Sequence, residues 1–449
     1  MNDRLIVVGG GAAGMSAASA ARRVNAQLDI VVVEAGAHAA YGLCGLPYYL
    51  ADVITDSDEL FAYSPEFFRD KRRIHVKFNT EVTRLDAERK VLGVWQDGRA
   101  YELDYDSLVL ATGGTPIIPP ALAVDSDRVF TVRRLDDATR LHRLLDEQSV
   151  KRALIVGGGY IGLEMAEALA ERGVEVIVAE ALPMVLPNFD APIAKVVHAE
   201  LQRHGVDVRL GCRVESARDT GSCLEVTTNG GVIEVDLMVA AVGVRAGSSL
   251  GSQAGAACGP AQALLVDDHM RTSLPSVYAA GDCIAPHHLI LNRPAFVPLG
   301  PVANKTGRVA GTNAAGGEAT FAGIVGTAVV KVFDLAVART GLTLAEAEAE
   351  GIQAIATQAV GKSRAKYYPG AEAVTVRLVH RPDGRLLGAQ MVGVGDGVAK
   401  RIDVAAIALQ AGFDIDALLG ADLSYAPPYA PVYEPILLAA QAAGVHSRA

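Results

Sequence analysis

The sequence is 449 residues long, half of it apolar and a fifth charged, and its 41 basic against 51 acidic side chains leave a formal net charge of −10. Such a chain buries a sizeable core and is not disordered, and an acidic balance without a basic run longer than Lys71-Arg72-Arg73 excludes nucleic acid as a partner. Five cysteines, never spaced as CxxC, exclude a disulfide framework and a metal site of the zinc type, while no apolar run approaches about 18 residues, so neither a membrane span nor a secretory leader is expected. The expected setting is the cytoplasm, with thiols reduced.

In chain order, Leu5 to Val8 reads as an apolar strand. It runs into Gly9-Gly10-Gly11-Ala12-Ala13-Gly14, a small-residue helix as far as Arg22-Arg23, and a second apolar strand that closes on Glu34. Leu108 to Leu110, before Ala111-Thr112-Gly113-Gly114, is a further apolar strand. The first design then recurs: Ala153 to Val156, Gly157-Gly158-Gly159-Tyr160-Ile161-Gly162, a helix, and a strand closing on Glu180. Val277 to Ala280 ends in Gly281-Asp282. Beyond about residue 325 the pattern changes to strands over Thr327 to Phe333, Ala373 to His380 and Leu386 to Val392, with a helix over Gly397 to Gln410 and a Pro- and Tyr-rich stretch near Tyr425.

Each glycine motif carries a specific chemistry. Gly9 and Gly157 make a tight turn, and Gly11 and Gly159 let the backbone approach a pyrophosphate. Gly14 and Gly162 allow close packing of helix on strand, and the helix N-terminus faces the phosphate charge. The acid about 20 residues on, Glu34 or Glu180, accepts from the ribose hydroxyls of an adenosine. Two copies imply two dinucleotides, a flavin and a nicotinamide. The carboxylate of Glu180 repels a 2′-phosphate, and Ala181-Leu182-Pro183 supplies no cation to offset it, so NADH is expected over NADPH.

On GGGAAG at 9–14, ATGGTP at 111–116, GGGYIGLE at 157–164, AVGVR at 241–245 and YAAGD at 278–282, the chain resembles the FAD-dependent pyridine nucleotide-disulfide oxidoreductases over essentially its whole length. The resemblance implies an α/β chain of two Rossmann-like dinucleotide-binding domains, with a C-terminal α+β dimerisation domain. The FAD domain is expected at 1–115 and 246–325, the NAD(P)H domain at 116–245, and dimerisation at 326–449. It also implies that Asp282 meets the ribityl chain, that Ala111, Thr112 and Gly113 pack near the flavin, that Tyr160 gates the nicotinamide pocket and that Glu164 holds the carboxamide. Ala12, Ala13, Ala35, Val82, Ile161, Gly243 and Gly281 complete the expected cofactor-lining set, with no metal.

Where most of that family carries CxxxxC, this chain has Cys44 alone, with Tyr49 at the second position. It therefore resembles the single-cysteine branch, which contains coenzyme A disulfide reductases, persulfide- or sulfur-reducing relatives, NADH oxidases and peroxidases. The oxidases and peroxidases carry a histidine in the first glycine motif; here that residue is Ala12. Coenzyme A disulfide reductases carry two C-terminal tyrosines delivered across a homodimer, matched here by Tyr367 and Tyr425. Ala40 and Leu43 depart from the serine and asparagine usual near the cysteine, and no fused rhodanese-like domain is expected. Cys44, just before a helix expected near Pro47, is read as the redox thiol. The resemblance implies electron flow from NADH through FAD and Cys44 to a small disulfide or persulfide, foremost coenzyme A disulfide, with Tyr367 and Tyr425 handling the proton. An NADH oxidase using a cysteine sulfenate, a polysulfide or sulfur reductase, and a flavin-based redox sensor are the alternatives.

Overall fold

The computed structural model describes residues 3–147 and 150–446, which form two compact units. The first comprises the chain up to Ile117, Val132–His142 and Gly243–Ile324. The second comprises Ile118–Thr131, Arg143–Val242 and the chain from Val325 on. Val132–His142, inside the 116–245 stretch by sequence, thus packs with the first unit.

The first unit is built on β1 (Arg4–Val8), α1 (Ala12–Val24), β2 (Asp29–Val33), α2 (Leu46–Leu50), β3 (Ile74–Lys77), β4 (Ser107–Leu110) and α3 (Leu135–Asp146), although the last four residues of α3 fall to the second unit. Its central sheet is parallel, ordered Val277–Ala279, β4, β1, β2, β3. Leu5, Ile6 and Val7 are wholly buried, as are Leu108 and Val109. Continuous apolar runs, rather than alternation, mark strands covered on both faces. The small-residue character of α1 has a packing cause. It lies against the Gly300–Ala314 helix so closely that a Cβ on Gly311 would stand 2.0 Å from the Ala17 carbonyl oxygen.

The second unit repeats the plan with a parallel sheet ordered Asp207–Leu210, Glu175–Glu180, Arg152–Val156, Leu237–Ala240, Val129–Phe130. Its C-terminal part is a five-stranded antiparallel sheet, in order Ala328–Val332, Leu335–Gly341, Leu386–Val394, Ala373–His380, Ile355–Lys362. The helices Gly397–Gln410 and Pro435–His446 pack on it. The strands Leu335–Gly341 and Ile355–Lys362 were not among those expected from sequence. Among the described residues no helix is long and apolar enough to cross a membrane.

Candidate functional site

In the first unit the strand-to-helix turn between β1 and α1 has the geometry a pyrophosphate requires. Gly9 takes φ +106°, a left-handed conformation that glycine alone adopts readily, and a Cβ there would lie 2.2 Å from the Ala111 carbonyl oxygen. A Cβ on Gly14 would stand 1.9 Å from the Gly9 carbonyl oxygen, so the helix can sit on the turn only without one. A Cβ on Gly11 meets nothing within 4 Å, and α1 has no side-chain cap, so its first N–H groups face open space. Glu34, at the end of β2, accepts from the Gly10 N–H (2.6 Å) through one oxygen and from the Gly36 N–H (2.7 Å) through the other. Ala35 beside it is exposed, and Ala13 is buried against Gly281. Val82 lies half-buried on the neighbouring Thr80–Asp86 strand.

At the same end of that sheet, beside the Gly9 turn, Ala111 is buried and the Thr112 hydroxyl donates to the Gly247 carbonyl. Gly113 is left-handed, and the Gly281 N–H donates to the Thr306 hydroxyl at 3.1 Å. Asp282 pairs with Arg133 at 2.8 Å, both side chains largely buried. Sequence reasoning missed Arg133: it stands 149 residues from its partner, in no motif. The Cys283 thiol donates to the Leu110 and Ala280 carbonyls, and burial pushes its pKa up, as befits a structural neutral thiol.

The second unit holds a near copy. Gly157 again takes φ +106°, and a Cβ on Gly162 would again stand 1.9 Å from the carbonyl oxygen of the turn glycine; one on Gly159 would meet nothing within 4 Å. Glu180, 7 % exposed, accepts from the Gly158 N–H (2.7 Å) and the Leu182 N–H (2.8 Å). Ile161 and Glu164 are half-buried on the helix Tyr160–Glu171; Gly243, which belongs to the first unit, takes φ +115°. The Tyr160 ring meets Phe189 edge-on at 6.1 Å. Its hydroxyl is enclosed beside Asn188 and Arg339, without a well-formed hydrogen bond among the described residues, and burial pushes its pKa up to about 12. The glycine turns and their open approaches fit two dinucleotides.

Cys44 is exposed and lies within the short 3-10 turn Leu43–Gly45 that leads into α2. That helix begins at Leu46 and is only five residues long, so little of the dipole expected from sequence is available to the thiol. Arg22 is turned away from any anionic ligand: its guanidinium donates to the carbonyls of Arg72, Arg73, Asn25 and Ala26. Tyr367 and Tyr425 do come together, their hydroxyls 2.9 Å apart, although 58 residues separate them. The Ala365 N–H donates to the Pro427 carbonyl at 3.1 Å, and Arg401 binds both the Ser363 carbonyl and Glu434, anchoring the two tyrosine-bearing segments together. Both tyrosines are exposed, and Tyr425 titrates higher than usual, first because it hydrogen-bonds Tyr367. Among the described residues, Glu200, His204 and Asp334 approach closely enough to bracket an ion, but Arg203 already bonds both carboxylates (2.7 and 2.6 Å).

Residues 3–315 match the family model described as pyridine nucleotide-disulphide oxidoreductase, and residues 327–435 match the dimerisation domain of the same name. The chain is 37 % identical over 440 residues to a Methanocaldococcus jannaschii protein named NADH oxidase, covering 98 % of each. It is 36 % identical to a Pyrococcus horikoshii protein named NAD(P)H coenzyme A polysulfide/persulfide reductase, again with 98 % of both chains covered. Among solved structures, an NAD-dependent persulfide reductase from A. fulgidus superposes with a TM-score of 0.95 at 38 % identity, over 99 % of this chain and 83 % of that one.

Proposed function

Because the chain belongs to the pyridine nucleotide-disulphide oxidoreductase family, an NAD(P)H- and FAD-dependent flavoprotein class, we propose that it reduces a low-molecular-weight disulfide or persulfide through Cys44, foremost coenzyme A disulfide. The observation that carries this reading is the single exposed thiol at Cys44 with a buried Tyr49 at the place of a second cysteine. Such a thiol closes no internal disulfide, so its oxidised form is a mixed disulfide with a thiol from outside. In this reading residues 1–115 and 246–325 hold FAD, 116–245 hold NADH and 326–449 pair two copies of the chain in the cytoplasm.

When bound, FAD supplies two-electron chemistry, taking a hydride from the nicotinamide and making an electron pair available to sulfur. Gly9 to Gly14, Glu34, Ala111 to Gly113 and Asp282 with Arg133 hold and orient the flavin nucleotide. Gly157 to Gly162, with Tyr160 among them, Glu164 and Glu180 would do so for NADH. Cys44 acts as a thiolate on the incoming disulfide: a new S–S bond forms to Cys44, the substrate S–S bond breaks, and one thiolate leaves. Two electrons and a proton then return the mixed disulfide to the Cys44 thiolate and a second free thiol. The balance is one disulfide, one NADH and one proton to two thiols and NAD⁺. Tyr367 and Tyr425, from the second copy of the chain, hold the proton that the departing thiolate takes. Its hydrogen bond to Tyr367 raises the affinity of Tyr425 for that proton.

The test is turnover of purified enzyme with NADH against coenzyme A disulfide, polysulfide, peroxide and oxygen, alongside Cys44→Ser. The disulfide or persulfide should be fastest, and Cys44→Ser should keep NADH-dependent flavin bleaching while losing that turnover. Oxygen consumption outrunning every sulfur acceptor would establish the oxidase reading instead, and disulfide turnover surviving in Cys44→Ser would overturn the role of Cys44.

A further inference from the structure

α2 has five residues, too few to hold a helix by their own hydrogen bonds, so something outside it must fix its place and with it the adjoining Cys44 turn. That support comes from α3. The Tyr49 ring lies flat on the imidazole of His142, with centroids 4.4 Å apart and planes 18° from parallel. His142 Nε2 meets Asp52 Oδ1 at 2.9 Å, and the imidazole is only 14 % exposed. Asp52 stands just past the end of α2 at φ +57°, the left-handed conformation in which helices commonly stop, and its N–H donates to the Tyr49 carbonyl at 3.2 Å. On the other flank of the cysteine, Asp136 of the same helix meets His38 Nε2 at 3.2 Å. One helix therefore grips the segment on both sides of Cys44.

We infer that His142 is a positioning residue for Cys44: it stacks on Tyr49, holds Asp52, and so fixes the direction in which the Cys44 turn presents its thiol. The inference rests on the redox role proposed for Cys44. It also accounts for Tyr49, which occupies the place of a second thiol and serves as the inner half of the stack. His142 touches no reacting atom in this account, so its effect belongs to the sulfur chemistry and not to the loading of the nicotinamide.

The test uses the FAD-loaded enzyme and three variants. His142→Ala removes stack and hydrogen bond, His142→Phe keeps a ring against Tyr49 but cannot bond Asp52, and Asp52→Asn keeps an acceptor in a residue type that tolerates left-handed backbone. Each protein is reduced with dithiothreitol, and iodoacetamide modification of the Cys44 peptide is followed by mass spectrometry from acid to alkaline pH. His142→Ala should change the rate, or displace its pH profile, by about tenfold, with His142→Phe intermediate and Asp52→Asn close to wild type. In steady state the loss should fall on kcat with the disulfide, with KM for NADH unchanged. Wild-type alkylation profiles in both His142 variants would overturn the inference, as would a KM effect for NADH alone. Because every comparison starts from the reduced thiol, it stands apart from the function reading, which fails separately if wild-type Cys44 gains no reactivity on NADH reduction.

Discussion

Replacing Glu180 by glutamine exchanges one oxygen for an amide group and removes the charge while keeping the shape. In the native chain the two carboxylate oxygens accept from the Gly158 and Leu182 N–H groups, at 2.7 and 2.8 Å, in a site 7 % exposed. The amide oxygen satisfies one of these donors, and its NH₂ group faces the other. A hydrogen bond to a charged acceptor is worth about 1.5–3 kcal/mol, so kcat/KM for NADH should fall roughly 10–150-fold. For NADPH the same change removes a repulsion: two unit charges about 5 Å apart at an effective dielectric near 20 oppose each other by about 3 kcal/mol. The NADH-to-NADPH ratio of kcat/KM should therefore narrow at least about tenfold, or about 1.4 kcal/mol. The assay is initial rates of both cofactors at saturating disulfide, with circular dichroism to establish that the variant is folded. A wild-type enzyme that already prefers NADPH tenfold, or a ratio unmoved by the substitution, would refute the reasoning.

The Tyr367 and Tyr425 hydroxyls share one hydrogen bond and should act as a unit. Tyr367→Phe and Tyr425→Phe should each slow thiol release by roughly 10²–10⁴-fold with flavin reduction intact, and the double variant should lose little more; multiplied losses in rapid-mixing kinetics would show separate roles. Tyr160 gives a pH prediction. Its folded-state pKa, pushed up to about 12 by burial, lies above the ordinary tyrosine value, so the fold is unaffected by this group's titration below about pH 10 and loses up to about 3 kcal/mol as pH rises toward 12. Tyr160→Phe, which also removes an enclosed hydroxyl with no well-formed hydrogen bond among the described residues, should raise stability at neutral pH by about 1 kcal/mol and flatten the alkaline limb of denaturant midpoint against pH. An alkaline limb as steep as wild type would refute the assignment.

The two strand-turn-helix units were legible because their determinants are local: a buried strand, a glycine turn and an acid at a fixed distance all lie within about 30 residues. The Gly397–Gln410 helix matches its periodicity to the residue, and Ala373–His380 likewise. Leu335–Gly341 escaped because Leu-Ala-Val-Ala-Arg-Thr-Gly lacks a run of bulky apolar residues. Its Arg339 is buried only because Glu346 and the Asn188 carbonyl take its donors. Contacts over long separations left no trace in the sequence. Asp282 meets Arg133 and Asp52 meets His142 across 149 and 90 residues, and neither partner stands in a pattern that names the other. The Tyr367–Tyr425 contact was approached only through resemblance, since two tyrosines in loops carry no periodicity. The length of α2 also lay beyond the pattern, because the left-handed turn at Asp52 that ends it is made without glycine.

The doubled anchoring of Glu34 and Glu180 has a consequence for how nucleotide choice can change. Each carboxylate is aimed by two main-chain N–H groups, so its rotamer is fixed by the backbone itself. The side-chain ordering that binding would otherwise require, about 0.5–1.5 kcal/mol, has been settled during folding. Selectivity at each seat is thus a property of the backbone path as well as of the acid. A change in the loop that supplies the Gly36 or Leu182 N–H can retune it while leaving the glutamate in place, and the two seats, closed by separate hydrogen bonds, can drift independently.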